Sequence, residues 1–239
     1  TQGVSSAASD VYKRQVDIRN STAMREAIMR HGIYPAGQTI NQHLSADASA
    51  QLRQALRRYD TSFESISRMK PWMVANLLLV QEMARQGFPT EQGIELHFLS
   101  LAEKQKKIVQ ELETADYQLS LFDSMSDAEQ EEYLVENLTE LANGTAMKKA
   151  LDLIKAWQIA DARALDAALQ EMQKGENASD RFLQKVLLDQ RNPAMAKQVE
   201  TLLKTDKHSF VAVGALHLLG AQGVPGLLRQ AGYKVDKLY

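Results

Sequence analysis

The sequence contains no cysteine, and this absence removes several kinds of chemistry at once. A disulfide scaffold, a thiolate zinc site and a cysteine nucleophile are all excluded. Any metal site must therefore use histidine, aspartate or glutamate ligands. The chain also lacks a P-loop, a Gly-x-Gly-x-x-Gly fingerprint and a Gly-x-Ser-x-Gly elbow, so nucleotide hydrolysis and serine-hydrolase chemistry have no support.

Long hydrophobic runs are absent as well. No stretch approaches the roughly 18 apolar residues that a bilayer-spanning helix needs, and residues 1–15 are polar and lack the apolar core of a signal peptide. Charge of one sign is not in excess, since the formal net charge is −2. We therefore predict no transmembrane segment in this chain and no nucleic-acid partner. With 239 residues, the chain is long enough for one sizeable core.

Short apolar runs near both ends and in the middle of the chain predict strands, and amphipathic stretches between them predict helices. The predicted strands are 16–18, 108–112, 209–213 and 233–238. Residues 126–203 are predicted to be almost wholly helical, beginning with a Ser-x-x-Glu capping box at Ser126. We predict an α/β or α+β fold, in which a small central sheet near the chain ends carries this large helical insertion.

The most informative segment ends a predicted strand in a glycine and then reaches a histidine. Phe210 to Val213 is an apolar run with the β-branched residues of a covered strand, and Gly214 permits a sharp turn or a close approach. His217 then lies beyond the carboxyl end of the strand, where open α/β sheets place their ligands. A histidine there can bind a metal, act as a general base or stabilise charge. The alternative is a buried structural histidine.

Two further polar residues follow predicted elements. Glu113 comes directly after the middle strand, so its carboxylate and the imidazole of His217 could together bind a divalent metal and activate water. The alternative is that Glu113 only caps or favours the N-terminus of the next helix. Arg191, in an Arg-Asn pair after a helical stretch, could clamp a carboxylate or stabilise developing negative charge. Its alternative is a solvated or ion-paired helix residue.

Three other conspicuous residues are interpreted as structural. His97 lies beside Phe98 on an apolar helix face, which favours a packing role. Trp72 and Trp157 have the size and character of core residues.

A series of short motifs runs through the chain in a distinctive order. They are Val-Asp-Ile at 16–18, Gly-Gln-Thr at 37–39, Lys-Pro-Trp at 70–72, Gly-Ile-Glu-Leu-His-Phe-Leu at 93–99, Leu-Glu-Thr-Ala at 112–115 with Gln-Leu at 118–119, Arg-Asn at 191–192, Phe-Val-Ala-Val-Gly-Ala-Leu-His at 210–217 and Gly-Tyr-Lys-Val at 232–235. In this order and spacing they resemble the TraB/GumN family, which includes the animal Tiki proteins. The resemblance runs from about residue 16 to the end of the chain.

The resemblance implies a hydrolase-like α/β fold in which two Gly-x-x-His motifs face one cleft. It also implies a metal-dependent hydrolase, with peptidase activity in the Tiki branch. Residue by residue, His217 matches the second Gly-x-x-His histidine, Glu113 the glutamate after the middle strand, and Arg191 the arginine of the Arg-Asn pair. His217 and Glu113 are then expected to bind a metal or its water, and Arg191 to stabilise charge. Oxygen and nitrogen ligands without thiolates suit Mn, Co or Zn.

The resemblance stops at Val16, before the first strand and the first Gly-x-x-His that the family has, and Gln15 stands where the family has glutamate. We therefore expect residues 1–15 to be a non-native or disordered leader, and residues 16–239 to be one TraB/GumN-like domain without its first strand. Such a truncated chain would be inactive or impaired. Because a signal peptide would lie in the missing part and many bacterial relatives are exported, the intact protein is expected in the periplasm or cell envelope.

Two other functions fit the same residues. The scaffold could belong to a non-catalytic ligand-binding or interaction protein that uses the cleft or the helical insertion. It could also bind haem or a metal without turnover. Loss of hydrolysis after replacement of Glu113 or His217 would separate the enzyme from the first alternative, and cofactor absorbance would reveal the second. The residues do not say whether the substrate is a peptide or a small molecule.

Overall fold

The computed structural model describes residues 11–14, 21–205 and 208–238, and within these ranges the protein is mostly helical, with 69% of residues in helices. The α-helices in chain order are α1 (Ser21–Ala27), α2 (Ala46–Arg58), α3 (Phe63–Ile66), α4 (Pro71–Arg85), α5 (Ile94–Lys104), α6 (Ala115–Asp123), α7 (Asp127–Asn143), α8 (Thr145–Gln158), α9 (Ala162–Lys174), α10 (Ala178–Leu183), α11 (Asn192–Leu203) and α12 (Val224–Gln230). π-Helical turns occupy Ile28–Gly32 and Gln184–Arg191, and 3₁₀ turns occupy Ile40–Gln42, Thr90–Gln92 and Ala215–Leu218.

The three strands of the described ranges form one small parallel sheet. Its central strand β1 (Val11–Arg14) pairs with β2 (Ile108–Glu111) on one side and with β3 (Ser209–Ala212) on the other. Long crossovers that contain helices connect the strands, as parallel pairing requires. Because all three strands run in the same direction, their carboxyl ends meet at one edge. Glu113 and the Ala215–Leu218 turn follow directly beyond that edge.

The larger hydrophobic core is built by helices and the turns between them. Its buried side chains include Leu52 and Leu56 of α2, Trp72, Val74 and Leu78 of α4, and Leu134, Leu138 and Leu141 of α7. The ring of Trp72 stacks on that of Phe122 in α6, with 4.9 Å between the centroids. Among the described side chains, β2 and β3 contribute nothing to this core.

A second, smaller core lies at the sheet. Leu112, Met195, Ala196, Val224 and Leu228 are its buried members, and Val211, Val213, Tyr233 and Val235 pack against it from partly buried positions. Helices α11 and α12 are thereby fixed beside the carboxyl edge of the strands. This small core, and not the large helical one, holds the residues around the candidate site.

The predicted fold class is wrong. We expected an α/β or α+β fold with a central sheet and a helical insertion at 126–203, but the chain is mostly helical from Ser21 onward. The helices predicted in 126–203 are present as α7 to α11, yet α7 packs into the same core as α2 and α4. The physical reason is that strands of four residues offer little apolar area, so the apolar stripes of the helices bury one another.

Several local predictions can be compared with the structure. The capping box at Ser126 is confirmed. The Ser126 side chain accepts a hydrogen bond from Glu129 N–H, and the Glu129 side chain accepts one from Ser126 N–H. A strand at 233–238 was predicted wrongly, because this segment has no regular secondary structure. Trp72 is buried as predicted, whereas Trp157 is 51% exposed, contrary to the core position predicted for it.

The beginning of the chain is described only in part. The strand predicted at 16–18 lies outside the described residues, as do residues 1–10 and 15 of the expected leader. Val11–Arg14, which we assigned to that leader, forms β1. Of the helices in the described ranges, none combines the length and the apolar character that crossing a bilayer demands.

Candidate functional site

Glu113 lies just beyond β2 and just before α6. The N-terminus of α6 is capped by Thr114, whose side chain accepts from Tyr117 N–H at 3.1 Å. The helix therefore does not need Glu113 as a cap. The Glu113 side chain is only 2% exposed, and a buried carboxylate requires a partner.

Arg191 is that partner. Its Nε donates to Glu113 Oε1 at 3.1 Å and to Oε2 at 3.2 Å, and its Nη2 donates to Oε2 at 2.9 Å. The side chain of Arg191 is itself only 12% exposed. Gln118 supports the same carboxylate, since its Nε2 donates to Oε2 at 3.2 Å. A two-point guanidinium–carboxylate contact is both strong and directional. Arg191 is therefore not solvated, and of the two structural alternatives the ion-paired one describes its contacts.

His217 lies in the 3₁₀ turn that follows β3, and the residue is 3% exposed. Burial, together with the nearby positive charge of Arg191, lowers the pKa of His217 to about 4. The imidazole is therefore neutral at pH 7. Gly214, at the start of the turn, has a φ of −58°, which any residue can adopt, so the turn does not depend on a left-handed glycine.

Asn192 is the residue that the sequence interpretation did not treat as functional. It is 0% exposed, its Oδ1 lies 2.6 Å from His217 Nδ1, and its Nδ2 donates to the backbone oxygen of Gln222 at 2.8 Å. Asparagine is mostly found exposed. A signal for Asn192 was present in the sequence, since it stands between Arg191 and Pro193, and proline is common in the first turn of a helix.

The π-helical turn Gln184–Arg191 brings Arg191 and Asn192 to different partners. It runs directly into α11, which begins at Asn192 and has a proline in its first turn. Successive helical residues point about 100° apart, and here Arg191 faces Glu113 while Asn192 faces His217. Single π-turns within helices are frequent at functional sites.

The structure thus brings the three predicted site residues into one neighbourhood. Glu113 and Arg191 are in contact, and the charge of Arg191 acts on His217. His97, by contrast, is exposed on α5, with its ring 5.7 Å from that of Phe98 in an edge-on arrangement. His97 is therefore outside the candidate site, although its exposure does not match the packing role expected for it.

The site as described does not fit a metal ion. Within residues 11–14, 21–205 and 208–238, no group of three His, Asp or Glu side chains is close enough to bind one. Both oxygens of Glu113 accept from Arg191, and the guanidinium charge disfavours a second cation at the same carboxylate. The carboxylate of Glu113, one of the two expected metal ligands, is therefore already engaged by Arg191.

Comparison with known proteins relates the chain to bacterial and animal sequences. The chain is 26% identical over 195 residues to the uncharacterized protein YbaP of Escherichia coli K12, which covers 82% of this chain and 70% of that protein. YbaP of Shigella flexneri matches equally. A shorter match, 41% identical over 59 residues, links 24% of this chain to 11% of the metalloprotease TIKI2 of Danio rerio. No solved structure gives a significant match.

The most extensive match is to a family model. The model of the TraB/PrgY/gumN family matches residues 7–237, which is nearly the whole chain and includes β1 and all three site residues. The order of motifs that suggested this relationship is thereby confirmed. The chain belongs to the TraB/PrgY/gumN family.

Proposed function

We propose that the protein is a hydrolase whose active site includes His217, Glu113 and Arg191, with peptides as the first substrates to test. The observation that carries the proposal is the buried two-point pair of Arg191 and Glu113 beside a buried, neutral His217. Charged groups that are buried at a cost, with a strongly shifted pKa beside them, are typical of functional sites. The short match to a protein named metalloprotease supports the same reaction class.

Each residue has a role that its chemistry favours. Neutral His217 offers a ring nitrogen that can bind a water molecule or take a proton from it during attack on a carbonyl. Arg191 uses Nε and Nη2 for Glu113, and its further N–H groups suit a carbonyl oxygen that gains negative charge. Glu113 orients Arg191 and balances its charge, so that the guanidinium stays in place at low exposure.

Dependence on Mn, Co or Zn is the second part of the proposal. It is supported by the metalloprotease relative and by the preference of these metals for nitrogen and oxygen ligands. The described arrangement does not fit a metal on Glu113, because Arg191 occupies that carboxylate. The metal requirement is therefore tested separately from the roles of the three side chains.

The test is peptide cleavage by the whole chain. Quenched fluorescent peptides of mixed sequence are incubated with the protein in EDTA or with added Mn²⁺, Co²⁺ or Zn²⁺. We expect slow cleavage, in keeping with the impaired activity expected of this chain, and a further loss of about 100-fold or more in His217→Gln and Glu113→Gln, in line with the size of acid–base and electrostatic contributions. The comparison of EDTA with added metal tests the metal requirement by itself. His208→Ala is the matched control, because His208 is an exposed histidine at the other end of β3.

The proposed site and the proposed metal requirement are contradicted by different results. Cleavage that is equal in His217→Gln, Glu113→Gln and His208→Ala would overturn the proposed site. Cleavage that is sensitive to these residues but indifferent to EDTA would overturn only the metal requirement. Circular dichroism of each variant shows whether a loss of activity is a loss of fold.

A non-catalytic binding protein is the second candidate function. The observation in its favour is that both Glu113 oxygens are engaged and that the described residues contain no three-ligand metal group. Such a protein would use Arg191 to bind a carboxylate-bearing ligand. Calorimetric titration with acetylated amino acids would then show saturable binding that Arg191→Lys weakens, with no cleavage of any peptide.

A further inference from the structure

Asn192 joins two buried groups through opposite ends of its side chain. One end lies 2.8 Å from the backbone oxygen of Gln222, and the other lies 2.6 Å from His217 Nδ1. Asn192 is 0% exposed and His217 is 3% exposed. Both contacts are therefore made away from solvent, where an unsatisfied polar group is costly.

The chemistry of these partners fixes which end of the amide is which. A backbone carbonyl only accepts, so the Asn192 atom that faces Gln222 O must be the nitrogen. A reversed amide would bring two acceptors face to face at 2.8 Å. The atom that faces His217 is therefore the amide oxygen.

We infer that Asn192 is a positioning residue for His217, which holds the imidazole in the tautomer with its proton on Nδ1. An amide oxygen only accepts, so the ring nitrogen 2.6 Å away must carry the hydrogen. In a neutral imidazole with Nδ1–H, the lone pair is on Nε2. Nε2 is then the atom of His217 that can take a proton or bind an electrophile.

The catalytic consequence of this tautomer rests on the proposed function, but the tautomer itself does not. If the protein is a hydrolase, Asn192 determines which ring nitrogen serves the reaction, in the way that second partners orient histidines in other sites. If it only binds ligands, the same bond still fixes the ring. The test below therefore uses no substrate.

The experiment measures the imidazole nitrogens directly. The full chain is labelled with ¹⁵N-histidine, treated with EDTA and recorded at neutral pH in long-range ¹H–¹⁵N correlation spectra. The His217 signals are those that disappear in His217→Gln. We expect the ¹⁵N chemical shift of a protonated ring nitrogen for Nδ1 and that of an unprotonated ring nitrogen for Nε2. The opposite pattern, or an imidazolium pattern at neutral pH, would overturn the inference.

Three variants then test Asn192 as the cause. Asn192→Asp keeps an oxygen acceptor near Nδ1 but loses the donor to Gln222 O, so Nδ1–H is expected to persist in a less stable chain. Asn192→Leu removes the acceptor, so a gain of the Nε2–H form is expected; an unchanged spectrum would overturn the role of Asn192. Asn137→Ala is the matched control, because the Asn137 amide donates to Tyr133 O and Ser179 Oγ, and it should leave His217 unaltered.

The experiment still tests the inference if one of the variants fails to fold. The wild-type spectrum decides the tautomer by itself, and Asn192→Asp decides whether an acceptor at this position suffices. A wild-type chain with Nδ1–H whose peptide cleavage is unchanged in His217→Gln would overturn the proposed site and leave this inference standing. Hydrolysis that depends on His217 in a chain with Nε2–H would do the reverse.

Discussion

Arg191 and Glu113 stand 78 residues apart in the chain and form a buried salt bridge in which two guanidinium nitrogens face one carboxylate. The pair ties the start of α6 to the end of the π-helical turn, and both side chains are at least seven-eighths buried. It therefore joins the region after β2 to the region that holds His217.

Breaking this pair is expected to destabilise the protein strongly. Removal of one member of a buried ion pair leaves an uncompensated charge, which costs about 3–5 kcal/mol. We expect this loss in the free energy of unfolding for Arg191→Met and for Glu113→Leu, measured by urea denaturation. The double variant Arg191→Met/Glu113→Leu should recover much of it, because no buried charge remains.

The exposed pair of Arg181 and Glu132 is the matched control. Its side chains are 53% and 47% exposed, at a distance of 2.8 Å, and exposed pairs contribute about 0–1 kcal/mol. Arg181→Met should therefore change stability little. A loss from Arg191→Met no larger than that from Arg181→Met would contradict the described burial of the site.

His217 is expected to make stability depend on pH in the acid range. The ordinary pKa of histidine is 6.5, and that of His217 in the folded chain is lowered to about 4. Between these values the unfolded chain binds a proton that the folded chain excludes, so stability falls as the pH is lowered from about 6.5 to about 4. At about pH 4 the loss in the free energy of unfolding is roughly 3 kcal/mol. Above pH 6.5 the titration of His217 no longer makes stability depend on pH.

Urea midpoints measured across this range should show the effect. The slope of stability with pH is expected to be smaller in His217→Gln than in the wild-type chain, while His208→Ala retains it. Identical slopes in all three proteins would mean that His217 titrates normally and is not buried as described.

Trp72 and Trp157 are expected to respond oppositely to truncation. Trp72 is 2% exposed and stacks on Phe122, so Trp72→Ala should cost about 3–5 kcal/mol through lost burial and the cavity left behind. Trp157 is 51% exposed, and Trp157→Ala should stay near the small values typical of surface changes, roughly 0.5 kcal/mol. Thermal unfolding of both variants measures the difference, and equal losses would count against the helical core.

The capping box of α7 is expected to contribute a measurable part of helix stability. Ser126→Ala removes the acceptor for Glu129 N–H, at 3.3 Å, and should cost about 1 kcal/mol. Ser100→Ala is the control, since Ser100 is exposed within α5 and alanine favours helix there. If the two substitutions had the same effect on the unfolding midpoint, the cap would not contribute.

Local features could be predicted from the sequence because their causes are local. Ser126 marks a helix start through hydrogen bonds within one turn, and that start is found. The strands that begin at residues 108 and 209 were also predicted from their apolar runs. The fold class was not predictable in this way, because an apolar helix face does not say whether it meets a sheet or another helix.

The candidate site likewise has parts that could be predicted from local sequence and parts that could not. The positions of Glu113 and His217 beyond two strands could be inferred from strand ends alone. The salt bridge to Arg191 could not, because it depends on how a π-helical turn rotates one residue toward a partner far along the chain. Asn192 was missed for a related reason: its function depends on Gln222 and His217, which only the fold brings near it.

The position of β1 at the centre of the sheet has a consequence for the order of folding. β1 pairs with strands that come about 100 and about 200 residues later, whereas the large helical core is made by residues between Tyr34 and Phe182. Contacts between distant segments form late, because closing long loops costs entropy before they are made. During synthesis the helical body can therefore bury its core while β3 is still unmade, and the neighbourhood of Glu113, Arg191 and His217 is completed last.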